Sequence, residues 1–330
     1  MPHFLADILT SIQWVGTVAT GLGYAGTVLG VYLTFRILAF PDLTIDGSFP
    51  LGAAAGAVIV VNGWSHWAAL PVAALLGGVV GATTAVLAAR LRINGLLASI
   101  LVALALNSLI LRFLGFGIEG GGPTANLPIL AAPTVSDGAR GLFAGWQNAC
   151  LAPDACFGSG VINRYAQILV YGLLTLALSG GLYLFLNTEI GLALRAVGDN
   201  PQMVRAQGIS SERMQMLGLA LSNALIAVSG ALVIGTLGFA DVSLGRGLIV
   251  VGLAAVIIGE VIVSPRRLGT ALAGAVLGSV LYRVFVALAL RNTRSLGLQE
   301  TDLQLLTALI VIVALGLPQL RRFVLPARTR

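Results

Sequence analysis

The sequence predicts an all-α, polytopic membrane helix bundle of about nine transmembrane helices, within a range of eight to ten, and three observations carry that prediction. Hydrophobic residues make up 57% of the 330-residue chain and charged residues only 10%, where soluble domains typically carry about 25% charge. Such a chain holds more apolar surface than one soluble core can cover, so lipid must solvate the remainder. Several apolar runs reach the ~20 residues that a helix rising 1.5 Å per residue needs to cross ~30 Å of hydrocarbon. Glycine contributes 42 residues and, with many alanines, supplies the small-residue faces on which membrane helices approach closely.

The runs are Ile12–Ala39, Phe49–Val61, Trp67–Ala89, Leu96–Leu114, Ile168–Leu186, Met214–Leu237, Leu248–Val263, Leu268–Leu290 and Leu303–Leu320. The first has no basic region before it and is too long for a secretory signal core, so a cleaved leader is not expected. Arg90, Arg92, the stretch from Arg195 to Arg213, Arg266, Arg267 and the tail from Arg321 fall on one side if the runs alternate. Positive charge marks that side as cytoplasmic. The segment 115–163 then lies outside. It holds Cys150 and Cys156, which either form a disulfide in that oxidising compartment or remain two separate thiols. Trp64 and Trp67 read as an interfacial belt on the same external side.

The net charge of +6 reflects this topology rather than nucleic-acid binding, because the arginines are scattered at run ends. All nineteen basic residues are arginine, so the lysine of a GxxxxGK[ST] phosphate loop or of a Schiff base is missing. Two histidines, His3 and His66, are too few for a catalytic triad or a zinc site. No enzymatic role, cofactor or metal is expected.

The chain reads as a single transmembrane domain over 1–330 with two related halves, 1–114 and 213–330. Phe40-Pro41-Asp42-Leu43-Thr44 is similar to Phe239-Ala240-Asp241-Val242-Ser243, and 73–81 is similar to 270–278. With alternating spans these matched helices run oppositely, which suggests an inverted repeat. Chance among small apolar residues is the other explanation.

Carboxylates at membrane depth invite a functional hypothesis. Asp42, Thr44, Asp46 and Ser48 in the first matched stretch, and Asp241 and Ser243 in the second, are candidates for the translocation pathway. The other reading is architectural, since Pro41 and Gly47 break a helix and a carboxylate can cap the one that resumes. Asn107, in the middle of the fourth run, either joins helices through a polar partner across the bundle or lines a cavity. Glu260, near Arg266 and Arg267, is expected in an ion pair at the cytoplasmic interface.

The segment 188–212 reads as two short helices. Asn200 can cap the second, Pro201 occupies the first helical position, and Gly208 can end it in a left-handed conformation. Docking on another protein and lying along the membrane surface are equally compatible with that spacing. The run from Thr188 to Ser210, TEIGLALRAVGDNPQMVRAQGIS, resembles the cytoplasmic coupling segment of the branched-chain amino-acid and ribose type of ABC importer permease. FRILAFPDLTIDGSFPLGA at 35–53 resembles uncharacterised and tryptophan/tyrosine-type members of that superfamily, and 302–317 also fits.

The resemblance implies a permease subunit of an ATP-driven importer in a bacterial inner membrane. It implies cytoplasmic ABC ATPase subunits as partners, an external solute-binding protein, and a second permease copy forming a homodimer embedded in membrane lipid. It assigns Glu189, Gly191, Arg195, Asp199, Asn200, Pro201, Met203, Arg205 and Gly208 to ATPase coupling. The implied solute is an amino acid, aromatic by the nearest resemblance, with a nucleoside or sugar as alternatives. An ion-coupled secondary transporter or channel is the competing class, with Asp42 or Asp241 as its proton or sodium site.

Overall fold

In a computed structural model, residues 12–118, 120–129, 159–263 and 266–291 are described. Their helices are α1 (Ile12–Tyr32, continued by a π-helical turn at Leu33–Ile37), α2 (Ile45–Val61), α3 (His66–Arg90), α4 (Gly95–Gly115) and α5 (Ser159–Leu186). After these come α6 (Glu189–Asp199), α7 (Pro201–Ala206), α8 (Ser211–Leu237), α9 (Leu248–Ile262) and α10 (Leu268–Arg291). Eight apolar runs coincide with helices, and six of these helices are long and apolar enough to cross a membrane. The other two, α2 and α9, have only 17 and 15 residues. The ninth run, Leu303–Leu320, lies outside the described residues, as do Cys150 and Cys156.

Helices α1 and α8 form the centre. In each, 78% of the apolar window is buried, against 17% in α5 and 28% in α4, many of whose leucines face outward. The central pair runs antiparallel: Thr27 Oγ1 donates to Ser229 Oγ at 2.8 Å, and Ser222 Oγ donates to the Gly30 carbonyl at 2.8 Å. Helix α2 lies along α8 in the same direction, with Ser48 beside Asn223 and Gly56 beside Ala231. Helix α9 lies along α1 in the same direction, with Gly252 beside Val31 and Glu260 beside Arg36. Helices α3 and α10 pack antiparallel to α8 and α9, with Gly77 against Asn223 and Gly278 against Ala255.

Local sequence sets the helix starts. Ser65, Asn94, Thr188, Asn200 and Ser210 each accept a backbone N–H from the first turn of the helix they precede, which satisfies donors that have no intrahelical partner. Helix α8 ends at Gly238, whose φ of +77° is the left-handed conformation of a glycine C-cap.

The described residues are mostly helical, as expected, with one small addition. Part of the 115–163 segment pairs with the chain after α8: β1 (Asn126–Pro128) and β2 (Phe239–Asp241) form an antiparallel ribbon with Leu127 opposite Ala240. Three residues per strand are too few to leave an alternating pattern in the sequence. The ribbon lies at the end of the bundle that also carries the exposed Trp64 and Trp67. Arg36, Arg195, Arg266 and Arg267 converge at the opposite end.

Close backbone approach makes Gly52 a sensitive position, because a Cβ there would fall inside the van der Waals shell of the Ala227 carbonyl. Gly180, on the outer face of α5, has nothing within 4 Å of the same position. Gly52→Ala should destabilise the purified protein by about 1–3 kcal/mol through overpacking. Gly180→Ala should be neutral or stabilising by up to about 1 kcal/mol from helix propensity. Thermal unfolding of both variants in one detergent checks the contrast.

Candidate functional site

Two breaks in the helical backbone carry most of the polar side chains singled out in the sequence. The first follows α1. Ala39 takes a φ of +51°, and the chain turns through Phe40–Thr44 to begin α2. The Asp42 carboxylate is fully buried. Its Oδ1 accepts the Thr44 N–H at 2.9 Å and its Oδ2 accepts from Asn223 Nδ2 at 2.8 Å. Ser48 Oγ donates to Asn223 Oδ1 at 2.6 Å, and the Thr44 and Thr84 hydroxyls meet at 2.9 Å. The break is thereby tied to α8 by Asn223, about 18 Å along that helix at 1.5 Å per residue, and to α3 by Thr84.

The second break follows α8 and runs through β2 and a short 3₁₀ turn at Val242–Gly245. Asp241 Oδ1 accepts the Ser243 N–H at 2.6 Å and also the Ser243 hydroxyl. This repeats the Asp42–Thr44 geometry at the position that the sequence match paired with it. Gly247 then takes a φ of +72° and α9 starts. Its first N–H groups are met from α2: the Asp46 carboxylate accepts from Gly247 and Ile249, each at 3.3 Å. One carboxylate therefore sits between the N-termini of two short apolar helices, where the helix dipoles favour negative charge.

The structure thus joins Asp42, Thr44 and Ser48 through Asn223, and links Asp46 to the break that holds Asp241 and Ser243. Asn107 is not part of this cluster. It is exposed on the outer side of α4 and makes no hydrogen bond among the described residues. Helix position explains the difference, since the neighbouring Leu106 and Ile110 take the buried face.

Two residues escaped the sequence reading. Asn223 is an asparagine in the middle of the sixth run, and the argument applied to Asn107 would have found it. Arg283 lies inside the eighth run, where its guanidinium sits 3.6 Å from the centroid of the Tyr24 ring, and Tyr24 stacks on Phe49 at 5.2 Å. A cation over an aromatic face is stabilised by ~2 kcal/mol when desolvated. Glu260 pairs with Arg36 at the end of α1, with Arg36 Nε donating to Oε1 at 2.8 Å; sequence distance had pointed only to the nearer Arg266 and Arg267.

At the arginine-bearing end, α6 and α7 form a compact elbow. Thr188 Oγ1 accepts the Gly191 N–H, and Asn200 Oδ1 accepts from Gln202 at 3.1 Å and Met203 at 3.0 Å. Pro201 stands at the first helical position, and Gly208 has a φ of +84°. Val204 is buried under the elbow, whereas Met203, Arg205, Ile190 and Leu192 are exposed. Glu189, Asp199 and Asn200 are also exposed, and Arg195 is half-buried. Gly191 is buried against the backbone at Phe185 and Leu186, so its contribution is to let α6 fold back on α5. Among the described residues there is no group of three or more His, Cys, Asp or Glu placed to hold a metal.

Comparison with known proteins adds what the geometry alone leaves open. A tyrosine transport system permease protein of Clostridioides difficile (strain R20291) is 34% identical over 288 residues, covering 87% of this chain and 85% of the relative. The ribose import permease of Escherichia coli (strain K12) is 22% identical over 292 residues, covering 87% and 80%. Among solved structures, a chain described as an inward-facing metal-chelate type ABC transporter is similar at 18% identity with a TM-score of 0.47, over 94% of this chain and 86% of that one. The family model described as branched-chain amino acid transport system / permease component matches residues 15–315. With the multi-span helix bundle and one family model running through both backbone breaks, the chain belongs to that family of ABC-transporter membrane permeases.

Proposed function

We propose that two copies of this chain form the membrane-spanning core of an importer in a bacterial inner membrane. The core takes an amino acid from an external solute-binding protein and is driven by separate cytoplasmic ATPase subunits. The observation that carries this reading is the elbow of α6 and α7. It is rigidly capped at Asn200, anchored inward by Val204, and presents Met203, Arg205, Ile190 and Leu192 outward. Apolar groups left in water beside charged ones suit a groove on a soluble partner. Glu189, Asp199 and Arg195 flank that surface, while Gly191, Pro201 and Gly208 shape it.

The solute assignment rests on the tyrosine-transport relative, and an aromatic amino acid is the first to test. The paired directions of α2 along α8 and of α9 along α1, together with the matched Asp42–Thr44 and Asp241–Ser243 turns, support an inverted repeat of 1–114 and 213–330. In this reading Asp42, Thr44, Asp46, Ser48, Asp241 and Ser243 shape the pathway by holding the breaks closed. The outward Asn107 on α4 needs a polar partner in hydrocarbon, and the second copy supplies it. Movement of the ATPases would push the elbow as a rigid body and shift the helices packed on it.

The test is ATPase activity of the cognate ATPase reconstituted with this chain in lipid. The wild-type chain should stimulate hydrolysis, and Met203→Glu with Arg205→Glu should abolish stimulation while the helical content persists. Stable, solute-transporting protein with no ATPase association would favour the ion-coupled carrier instead. Asn200→Ala should cost about 1 kcal/mol of local helix stability, read as faster hydrogen exchange at the Gln202 and Met203 amides and as weaker stimulation.

A further inference from the structure

A second polar feature of the arginine-bearing end lies behind the elbow and shares Arg195 and Asp199 with the flank of its outer surface. Between the end of α1, the inner side of α6 and the start of α10 lies a recess of about 250 Å³, lined by Tyr32, Arg36, Arg195, Asp199, Arg266 and Arg267. Ile37, Leu268 and Ala271 add an apolar part to the lining. Arg36 is engaged by Glu260. Counting that pair, four guanidinium groups meet two carboxylates among the described residues, an excess of two positive charges. The Nε of Arg195 is buried and has no hydrogen-bond partner among the described residues.

Helix polarity adds to the imbalance. Helix α10 begins in this recess, and a helix of 24 residues presents about half a positive charge at its N-terminus. Such an end ordinarily attracts an acidic side chain in the first turn. Here that turn holds no acidic residue, and the two residues before it are arginines. Thr270 Oγ1 accepts the Arg267 N–H at 3.1 Å, which accounts for one backbone donor and leaves the charge as it was. Converging guanidinium groups and a helix N-terminus around one recess form an arrangement that binds phosphate groups well, since forked guanidinium donors match phosphate oxygens.

We propose that this recess binds a phosphate group, carried either by an anionic phospholipid of the cytoplasmic leaflet or by a free phosphate anion. Basic pockets between membrane helices on that side suit lipid headgroups, and the apolar lining at Leu268 and Ala271 gives an acyl chain a place to begin. Because the recess joins α1, α6 and α10, an occupant braces the elbow against the bundle. Loss of the anion then loosens the same segment that the proposed function uses for coupling.

The experiment compares the purified chain in nanodiscs of phosphatidylcholine alone and with phosphatidylglycerol. In parallel, detergent-solubilised chain is examined in inorganic phosphate against chloride at equal ionic strength. The readouts are the thermal unfolding midpoint and phosphatidylglycerol retention by native mass spectrometry. A rise in midpoint with phosphatidylglycerol only assigns the site to lipid, and a rise with inorganic phosphate assigns it to the free anion. In either case Arg266→Gln with Arg267→Gln should weaken binding roughly tenfold or more. Arg90→Gln with Arg92→Gln, at the same end but outside the recess, should retain it. No stabilisation of the wild-type chain by either probe overturns the proposal without reference to any variant. Equal loss in both variant pairs overturns it as well, since that pattern reports general surface attraction. Loss of ATPase association in Arg266→Gln/Arg267→Gln without any effect of lipid or phosphate makes the recess a protein contact and also overturns it.

Discussion

A helix that breaks inside a membrane protein must find new partners for the backbone N–H groups it releases, because hydrocarbon supplies none. That constraint governs the centre of this structure. Both breaks are closed by an aspartate two residues before a hydroxyl residue, Asp42 with Thr44 and Asp241 with Ser243. A third aspartate, Asp46, reaches from α2 to cap α9. Without these acceptors the short helices α2 and α9 would begin with unsatisfied donors. An unsatisfied buried group costs about 1–3 kcal/mol, enough to matter when total stability is of the order of 5–15 kcal/mol.

From this centre the packing follows by close approach. Gly52 and Gly77 bring α2 and α3 onto the α8 backbone around Asn223 and Ala227, while Gly278 brings α10 onto α9. The same Asn223 completes the Asp42 carboxylate, so helix contact and break closure depend on one residue. The central pair also carries the link to the arginine-bearing end. Gly198 of α6 abuts the backbone at Ile37, and Gly218 of α8 abuts Leu38, where α1 gives way to the first break. A displacement of the elbow therefore meets the first break directly, which gives the proposed coupling a short physical route through packed backbone.

The parts legible in the sequence were those written locally or by run length. Eight apolar runs became helices, and the cap at Asn200, the proline at 201 and the left-handed Gly208 formed as their spacing indicated. What escaped depended on which way a side chain faces after folding. Asn107 and Asn223 are both single asparagines in apolar runs, yet the first turns outward and the second closes the core network. Periodicity could not separate them, because runs rich in leucine and alanine on all sides leave the buried face unmarked. The Arg36–Glu260 pair and the β1–β2 ribbon join residues more than 110 positions apart, and no local signal reports such pairs. The Asp–Thr and Asp–Ser turns were visible as a repeat, but only the geometry shows their carboxylates already engaged.

The central claim is that Asp42 is an architectural acceptor held by Asn223, and the most direct measurement is a residue swap. Thermal unfolding midpoints would be compared for Asp42→Asn, Asn223→Asp and the double exchange Asp42→Asn/Asn223→Asp, with transport measured on each folded protein. Each single change sets like groups against each other. The exchange restores one donor facing one acceptor and keeps acceptors for Thr44 N and Ser48 Oγ, losing only the Asn223 Nδ2 donation to the Leu219 carbonyl, 3.0 Å in the wild-type chain, so recovery is partial. The account predicts large losses in the singles and a double that loses clearly less than their sum, a coupling of the size seen for residues sharing one network. Losses that simply add in the double, or singles as stable as the wild-type chain but inactive, would contradict it and return Asp42 to direct contact with the solute.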